Sequence, residues 1–399
     1  MKITPELIRL APKTDLHLHL DGSLRIGTLI ELAKEAKVKL PAYTESGLLE
    51  TVFKEHYADL PEYLQGFRYT VGVLQTEENL ERVAYELAQD NIAEGVRYIE
   101  VRFAPQLHMH DDLTISRVLH AVNRGLNRAK EEFNRAAGTD IPFEYGIIAC
   151  AMRRFNKFMS PYFANLLGVM KHAKEKEIFA AASLELVRAA ISLIREDGLP
   201  IVGFDLAGEE AGYPAIVHRE AFQQAHRHFL KATVHAGEAY GPESIFQAIT
   251  ECYAKRIGHG TFLFAADKIR DERIANPQQY VNNLVDFIAS QRIALEVCPT
   301  SNLQTIPVME NNLANHSLRR MLQEELAVTI CTDNRLVSRT NVCKELQLVS
   351  DTFNLSKKQF RDIILAGFKG GFFPGPYKQK REYVRQVIGK LDGLLDSQG

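Results

Sequence analysis

The chain has 399 residues, 46% hydrophobic and 25% charged, the proportions of a globular protein that folds in water. Its 48 Lys and Arg against 50 Asp and Glu leave a net charge of −2, so no global field draws it to nucleic acid or to an anionic membrane. The opening MKITPELIRLAPK has no apolar signal core and no apolar run reaches bilayer length, which points to a cytoplasmic protein; five cysteines without a Cys-x-x-Cys pair argue against a disulfide framework or a thiolate zinc finger.

The first predicted element is a strand over 15–20, within DLHLHLDGS. Successive strand side chains face opposite ways, so Leu16, Leu18 and Leu20 share one face and Asp15, His17, His19 and Asp21 the other. A polar face of that kind is either solvated or lines something, and His17 and His19 project side by side, within reach of one metal ion. A His-x-His pair needs further ligands from elsewhere to make a metal site. Residues 44–75 then read as helical and are longer than an ordinary strand–helix connection, which suggests a lid; the stripe Leu48, Val52, Phe53, Tyr57 and Leu60 is expected to face the core.

Further runs rich in Val and Ile predict strands over 96–103, 144–152, 201–207, 232–235, 256–259, 293–298 and 326–331. Between them, apolar spacing at three and four residues predicts helices that include 81–94, 115–134, 182–196, 215–230, 243–253 and 317–325. The tail from Lys357 reads as helix packed around the outside. Alternation of strands and helices implies a parallel sheet, and eight strands predict an α/β fold with a closed (β/α)8 barrel, one domain over 1–399, in preference to an open doubly wound sheet.

In such a barrel the reactive groups sit at the C-terminal strand ends. Here strand one ends in His17, His19 and Asp21; strand four in Asp205-Leu-Ala-Gly208; strand five in VHAGE, with His235 and Glu238; strand six in RIGHG, with His259; strand seven in CPTSN; and strand eight in Thr332, Asp333 and Asn334. Five of these six endings carry a histidine or carboxylate, a convergence that suits a single metal ion. His17, His19, His235 and Asp333 are enough for a zinc site with a position left for water. Glu238 stands three residues beyond His235 as a proton carrier. His259 and Asp333 are placed to orient and deprotonate the water, whose pKa zinc lowers towards about 7. Asp205 reads as support for the ligands. A second His-x-His, His108 and His110, is expected on an exposed loop; His226 and His228, two apart on a helix, read as surface; Cys298 reads as packing.

Together PKTDLHLHLDGS, DLAG, TVHAGE, RIGHG, CPTSN and CTDN, in this order from Pro12 to Asn334, resemble the adenosine deaminase family. The resemblance implies a (β/α)8 barrel with one catalytic Zn2+ held by His17, His19, His235 and Asp333, and a small purine nucleoside as substrate. It implies that Glu238 protonates purine N1, that His259 helps activate the water, that the Gly208 N–H meets N3, and that Asp21 hydrogen-bonds the ribose 5′-hydroxyl. The reaction implied is hydrolysis of adenosine or 2′-deoxyadenosine to inosine or deoxyinosine and ammonia, in purine salvage; deamination of another 6-aminopurine compound, such as adenine, is the alternative. One position departs from the family: Asn334 stands where many members carry an aspartate that faces purine N7, and Arg335 follows where proline is common. Relatives that act on adenine usually carry Glu at the position of Asp21, and those that act on N6-methyl-AMP tend to carry Asn, so Asp21 favours a neutral nucleoside.

A two-metal hydrolase of the wider superfamily needs a bridging lysine at the end of strand four, where this chain has Asp-Leu-Ala-Gly-Glu-Glu. A binding protein built on an inactive barrel typically lacks a ligand or the proton carrier, and here all are present.

Overall fold

A computed structural model of the chain describes residues 3–136, 138 and 140–397. Eight strands follow one another as neighbours in one parallel sheet: β1 Lys13–His19, β2 Val96–Phe103, β3 Glu144–Met152, β4 Ile201–Ala207, β5 Lys231–Ala236, β6 Ala254–His259, β7 Ala294–Val297 and β8 Val328–Ile330. The last short strand meets the first at its upper end. Leu18 pairs with Asp333, the Asp333 N–H donates to His17 O at 2.8 Å, and the His19 N–H donates to Asp333 O at 2.8 Å. The sheet is thus a barrel ringed by helices, as the strand–helix alternation predicts.

Helices Glu77–Ala93, Ile115–Ala136, Glu175–Glu196, Pro242–Glu251 and Pro277–Gln291 cover the outside. Each lays an apolar stripe on the strands; in Ile115–Ala136 the buried side includes Val118, Val122, Leu126 and Ala129. Gly125 lies on that same side, and a Cβ there would fall 2.1 Å from Glu81 O, so the two long helices meet at backbone distance. The helix expected over 215–230 is broken: a 3-10 turn, Ala215–His218, precedes helix Arg219–Arg227, and Phe229 stops it at φ +62°. The helix expected from 182 begins earlier, at Glu175, where Glu177 reaches back to the Lys174 N–H at 3.0 Å.

Residues 44–75 form three short helices, Glu45–Thr51, Leu60–Leu64 and Phe67–Val73. Leu48 and Phe53 are buried in the core and Val52, Tyr57 and Leu60 pack against it, as expected, and Leu60 also lines a cavity at the barrel mouth. The tail forms helices Lys357–Gly370 and Tyr377–Asp396 on the outside, but the link between them turns inward. Phe372 sits under the barrel with its ring 3.6 Å from the Arg256 guanidinium, and Phe372 O accepts from Lys231 Nζ at 2.7 Å. Among the described residues no helix is long and apolar enough to cross a membrane.

Candidate metal centre and active site

The polar face of β1 points into the barrel. The ligand atoms of His17, His19, His235 and Asp333 all lie within 4.8 Å of one another. His17 Nε2 and His19 Nε2 stand 3.6 and 3.5 Å from Asp333 Oδ1, and the Nε2 atoms of His19 and His235 are 3.2 Å apart. His17 Nε2 is buried without a hydrogen-bond partner. A bare buried nitrogen is costly.

The far nitrogens of two of these rings are held by carboxylates. His17 Nδ1 lies 2.9 Å from Glu296 Oε2, and His235 Nδ1 lies 3.1 Å from Asp205 Oδ2. A ring that gives its Nδ1 proton to a carboxylate presents the Nε2 lone pair to the centre, the arrangement a metal ligand requires. The donor set therefore fits a divalent cation. Burial, with the charge of Arg102, holds His17 well below its ordinary value, so that ring is neutral. Burial also depresses His235, but the Asp205 carboxylate overrides it and leaves this ring above its ordinary value.

Arg102 ties the two supports together, its Nη1 donating to Asp205 Oδ2 at 2.9 Å and its Nη2 to Glu296 Oε2 at 2.8 Å. Arg256 Nε donates to Glu296 Oε1 at 2.5 Å, and its Nη2 reaches Glu100. These residues come from β2, β4, β6 and β7 and fill the barrel interior with charge. Asp205 thus holds the His235 ring, the kind of supporting contact that its place at a strand end suggested. Arg102, Glu296 and Arg256 were not anticipated. Their signal lies in the sequence, as charges inside otherwise apolar strands such as VRYIEVRF and ALEV.

Glu238 and His259 face the same centre, with His259 Nε2 3.8 Å from Glu238 Oε1. Burial, opposed by His235 and reinforced by the charge of Glu210, pushes the Glu238 carboxyl up to about 7. Glu210, also missed, holds the loop that carries Glu238. It accepts the N–H groups of Gly237 and Glu238 at 3.0 Å, of Ala239 at 2.6 Å and of Tyr240 at 2.9 Å, and the Ser244 hydroxyl at 2.5 Å. His259 and Asp333 both have positive φ, +64° and +61°, a backbone state uncommon outside glycine and found where a site dictates the geometry. Asp333 Oδ2 accepts from Ser301 Oγ at 2.6 Å.

Above the centre lies a cavity of about 790 Å³, walled by Leu60, Leu64, Phe67, Met152 and Phe158 and reaching Asp21, Gly208 and Asn334. Asp21 is buried and its Oδ1 has no partner. Asn334 commits its amide N–H groups to Asp333 Oδ1 at 2.7 Å and Tyr63 OH at 2.9 Å, while its Oδ1 rests against Gly22.

The other histidine pairs lie elsewhere. His108 is buried, contrary to the exposed loop expected: His108 Nδ1 meets Leu74 O at 2.9 Å and His110 Nε2 meets Gln75 O at 3.0 Å. The pair anchors the end of the 44–75 segment, a long-range partnership invisible to local reading. His226 is exposed and stacks on Tyr253. Cys298 lies near His259 and Asp333, and burial pushes its thiol well above the ordinary range.

A family model described as adenosine deaminase matches residues 12–389. Adenosine deaminase 1 of Streptomyces coelicolor is 35% identical over 387 residues, covering 96% of this chain and 88% of that protein. The adenosine deaminase of Mycobacterium marinum is 34% identical over 389 residues, 96% of either chain. Among solved structures, an adenine deaminase from Arthrobacter aurescens superposes with a TM-score of 0.72 at 21% identity, over 96% of this chain and 99% of that one. An amidohydrolase from Burkholderia ambifaria with bound Zn gives 0.77 at 20% identity, over 100% and 96%. At that identity the two structures speak for the barrel, while the family model and the relatives speak for ancestry: the chain belongs to the adenosine deaminase family.

Proposed function

We infer that the protein hydrolyses adenosine and 2′-deoxyadenosine to inosine and deoxyinosine, releasing ammonia, with one Zn2+ held by His17, His19, His235 and Asp333. The observation that carries this is the bare, buried His17 Nε2 at the centre of that four-residue cluster, with a protonatable Glu238 on the same rim. A cation bound there supplies a Lewis acid that acidifies water.

The chain's own groups do the rest. Water oxygen bonds to purine C6, one water proton passes by way of Asp333 to N6, the C6–N6 bond breaks and N6 leaves as ammonia, and the second water proton returns to Glu238 as the C6 carbonyl forms. Glu238 gives its proton to N1, which makes C6 electrophilic. His259 and Asp333 face the incoming water and steer it. The Gly208 N–H, at φ +99° at the end of β4, meets N3. Asp21 accepts the 5′-hydroxyl through its unpartnered oxygen, which favours a nucleoside over adenine and disfavours a 5′-phosphate. Residues 44–75 cover the bound nucleoside as a lid. Asn334, with its N–H groups engaged, has no proton to offer purine N7 and orders Asp333 and Tyr63 instead.

Ammonia release from adenosine, 2′-deoxyadenosine, adenine and AMP, each with and without chelator, tests the reading. Release from the two nucleosides alone, abolished by chelator and restored by zinc, is expected. Release from adenine or AMP instead reassigns the substrate, and chelator-resistant release removes the metal. Asp21→Ala is expected to weaken nucleoside binding far more than adenine binding; equal losses refute the ribose contact.

A further inference from the structure

His259 has two ring nitrogens, and what it can do for water depends on which one carries the proton. A chain of partners beginning at a main-chain amide decides this. The Leu318 N–H donates to His316 Nδ1 at 2.8 Å. A main-chain amide can only donate, so His316 Nδ1 is an acceptor and the ring proton lies on Nε2. His316 is neutral, because burial pushes it down to about 3. His316 Nε2–H then donates to Asn302 Oδ1 at 3.2 Å. With its oxygen so engaged, Asn302 directs its amide N–H to His259 Nδ1 at 3.1 Å. His259 Nδ1 is therefore the acceptor, and its proton lies on Nε2, the nitrogen that faces Glu238.

The reverse assignment fails at its first link. Flipping the Asn302 amide demands a bare His316 Nε2, which places the His316 proton on Nδ1, against the Leu318 N–H. The conflict lies away from bulk solvent, since His259, Asn302 and His316 are all at least 98% buried.

We propose that Asn302 and His316 are positioning residues that lock His259 in its Nε2–H form, so that it offers the reacting oxygen a donor and not a lone pair. The proton lost by water then goes to the Asp333 carboxylate, and His259 holds the oxygen while it moves. This assignment rests on the function proposed above for its meaning in the reaction, though not for the position of the proton.

The test is long-range proton–nitrogen correlation NMR on the full chain carrying isotope-labelled histidine, with the His259 signals assigned by their loss in His259→Asn. The wild type is expected to show His259 protonated on Nε2. Asn302→Asp sets an acceptor-only carboxylate against both rings, so the His259 proton should move to Nδ1, and kcat should fall on the order of 100-fold with KM for adenosine little changed. His316→Leu should give mixed tautomers. His316→Gln, whose amide N–H can stand where Nε2–H stood, should restore the wild-type pattern. His259 protonated on Nδ1 in the wild type, or an Asn302→Asp pattern like that of the wild type, overturns the proposal regardless of turnover. The Nε2–H pattern in a protein that releases no ammonia supports the lock and overturns the functional reading alone.

Discussion

At the scale of single residues, Glu238 is the group whose chemistry burial sets most directly. Its carboxyl, pushed up to about 7, keeps its proton up to neutral pH and loses it as pH rises further. In the proposed reaction only the protonated form has a proton to give to N1. Turnover is therefore predicted to fall as pH rises through about 7, an alkaline limb that a pH–rate profile will locate. Glu238→Gln should lower kcat by about 100-fold or more while metal content, measured by atomic absorption, stays at the wild-type level. Normal turnover in that variant would take Glu238 out of the reaction. The position of Glu238 beside His259 was legible in the sequence because HAGE carries it at a strand end. Glu210, which holds its loop through four main-chain amides and a serine, was not, because nothing about a Glu-Glu pair after DLAG tells which carboxylate turns inward.

At the scale of elements, the strands were readable from their Val and Ile runs and the helices from their apolar spacing. The polar interior was readable only in part. The face of β1 is a local pattern, since alternation alone places His17 and His19 together. The link from His17 through Glu296 and Arg102 to Asp205 crosses three further strands, and no local period encodes it. Arg102→Met leaves Glu296 and Asp205 buried with a cation missing, a loss of roughly 3–5 kcal/mol that urea unfolding will measure. Metal affinity should fall about 10–100-fold as the two rings lose their orientation. Burial alone would raise Glu296, but Arg102 and Arg256 outweigh it and bring the carboxyl down to about 2 from 4.5. A folded value below the ordinary one adds stability above about pH 4.5 and forfeits it as pH falls towards 2. Acid unfolding is thus predicted in that interval, and Glu296→Gln should flatten this part of the stability curve.

At the scale of the whole molecule, the link between the two tail helices closes the floor of the barrel. The helical tail was evident in the sequence; its inward turn at Phe372 was not, since an aromatic pair between glycines and prolines reads as an ordinary loop. Phe372 lies against Gly203, where an added Cβ would sit 2.7 Å from the ring. Phe372→Ala is predicted to cost roughly 3–5 kcal/mol, seen as a lower melting temperature, with KM for adenosine unchanged because the cavity lies at the opposite mouth. An unchanged melting temperature would mean that the floor of the barrel closes without it.

The junction of Leu18 with Asp333 has a consequence for how the protein is made. Two prospective ligands leave the ribosome with the first strand, a third with the fifth, and the last only after the eighth. A growing chain therefore carries an incomplete set until the ring is nearly finished, and a cation taken up by the finished site acts as a clasp on its seam. Zinc at about 100 times its dissociation constant should add about 2.7 kcal/mol to the unfolding free energy, so chelation should lower the melting temperature of the wild type. A variant that cannot close the ring should gain nothing from added metal.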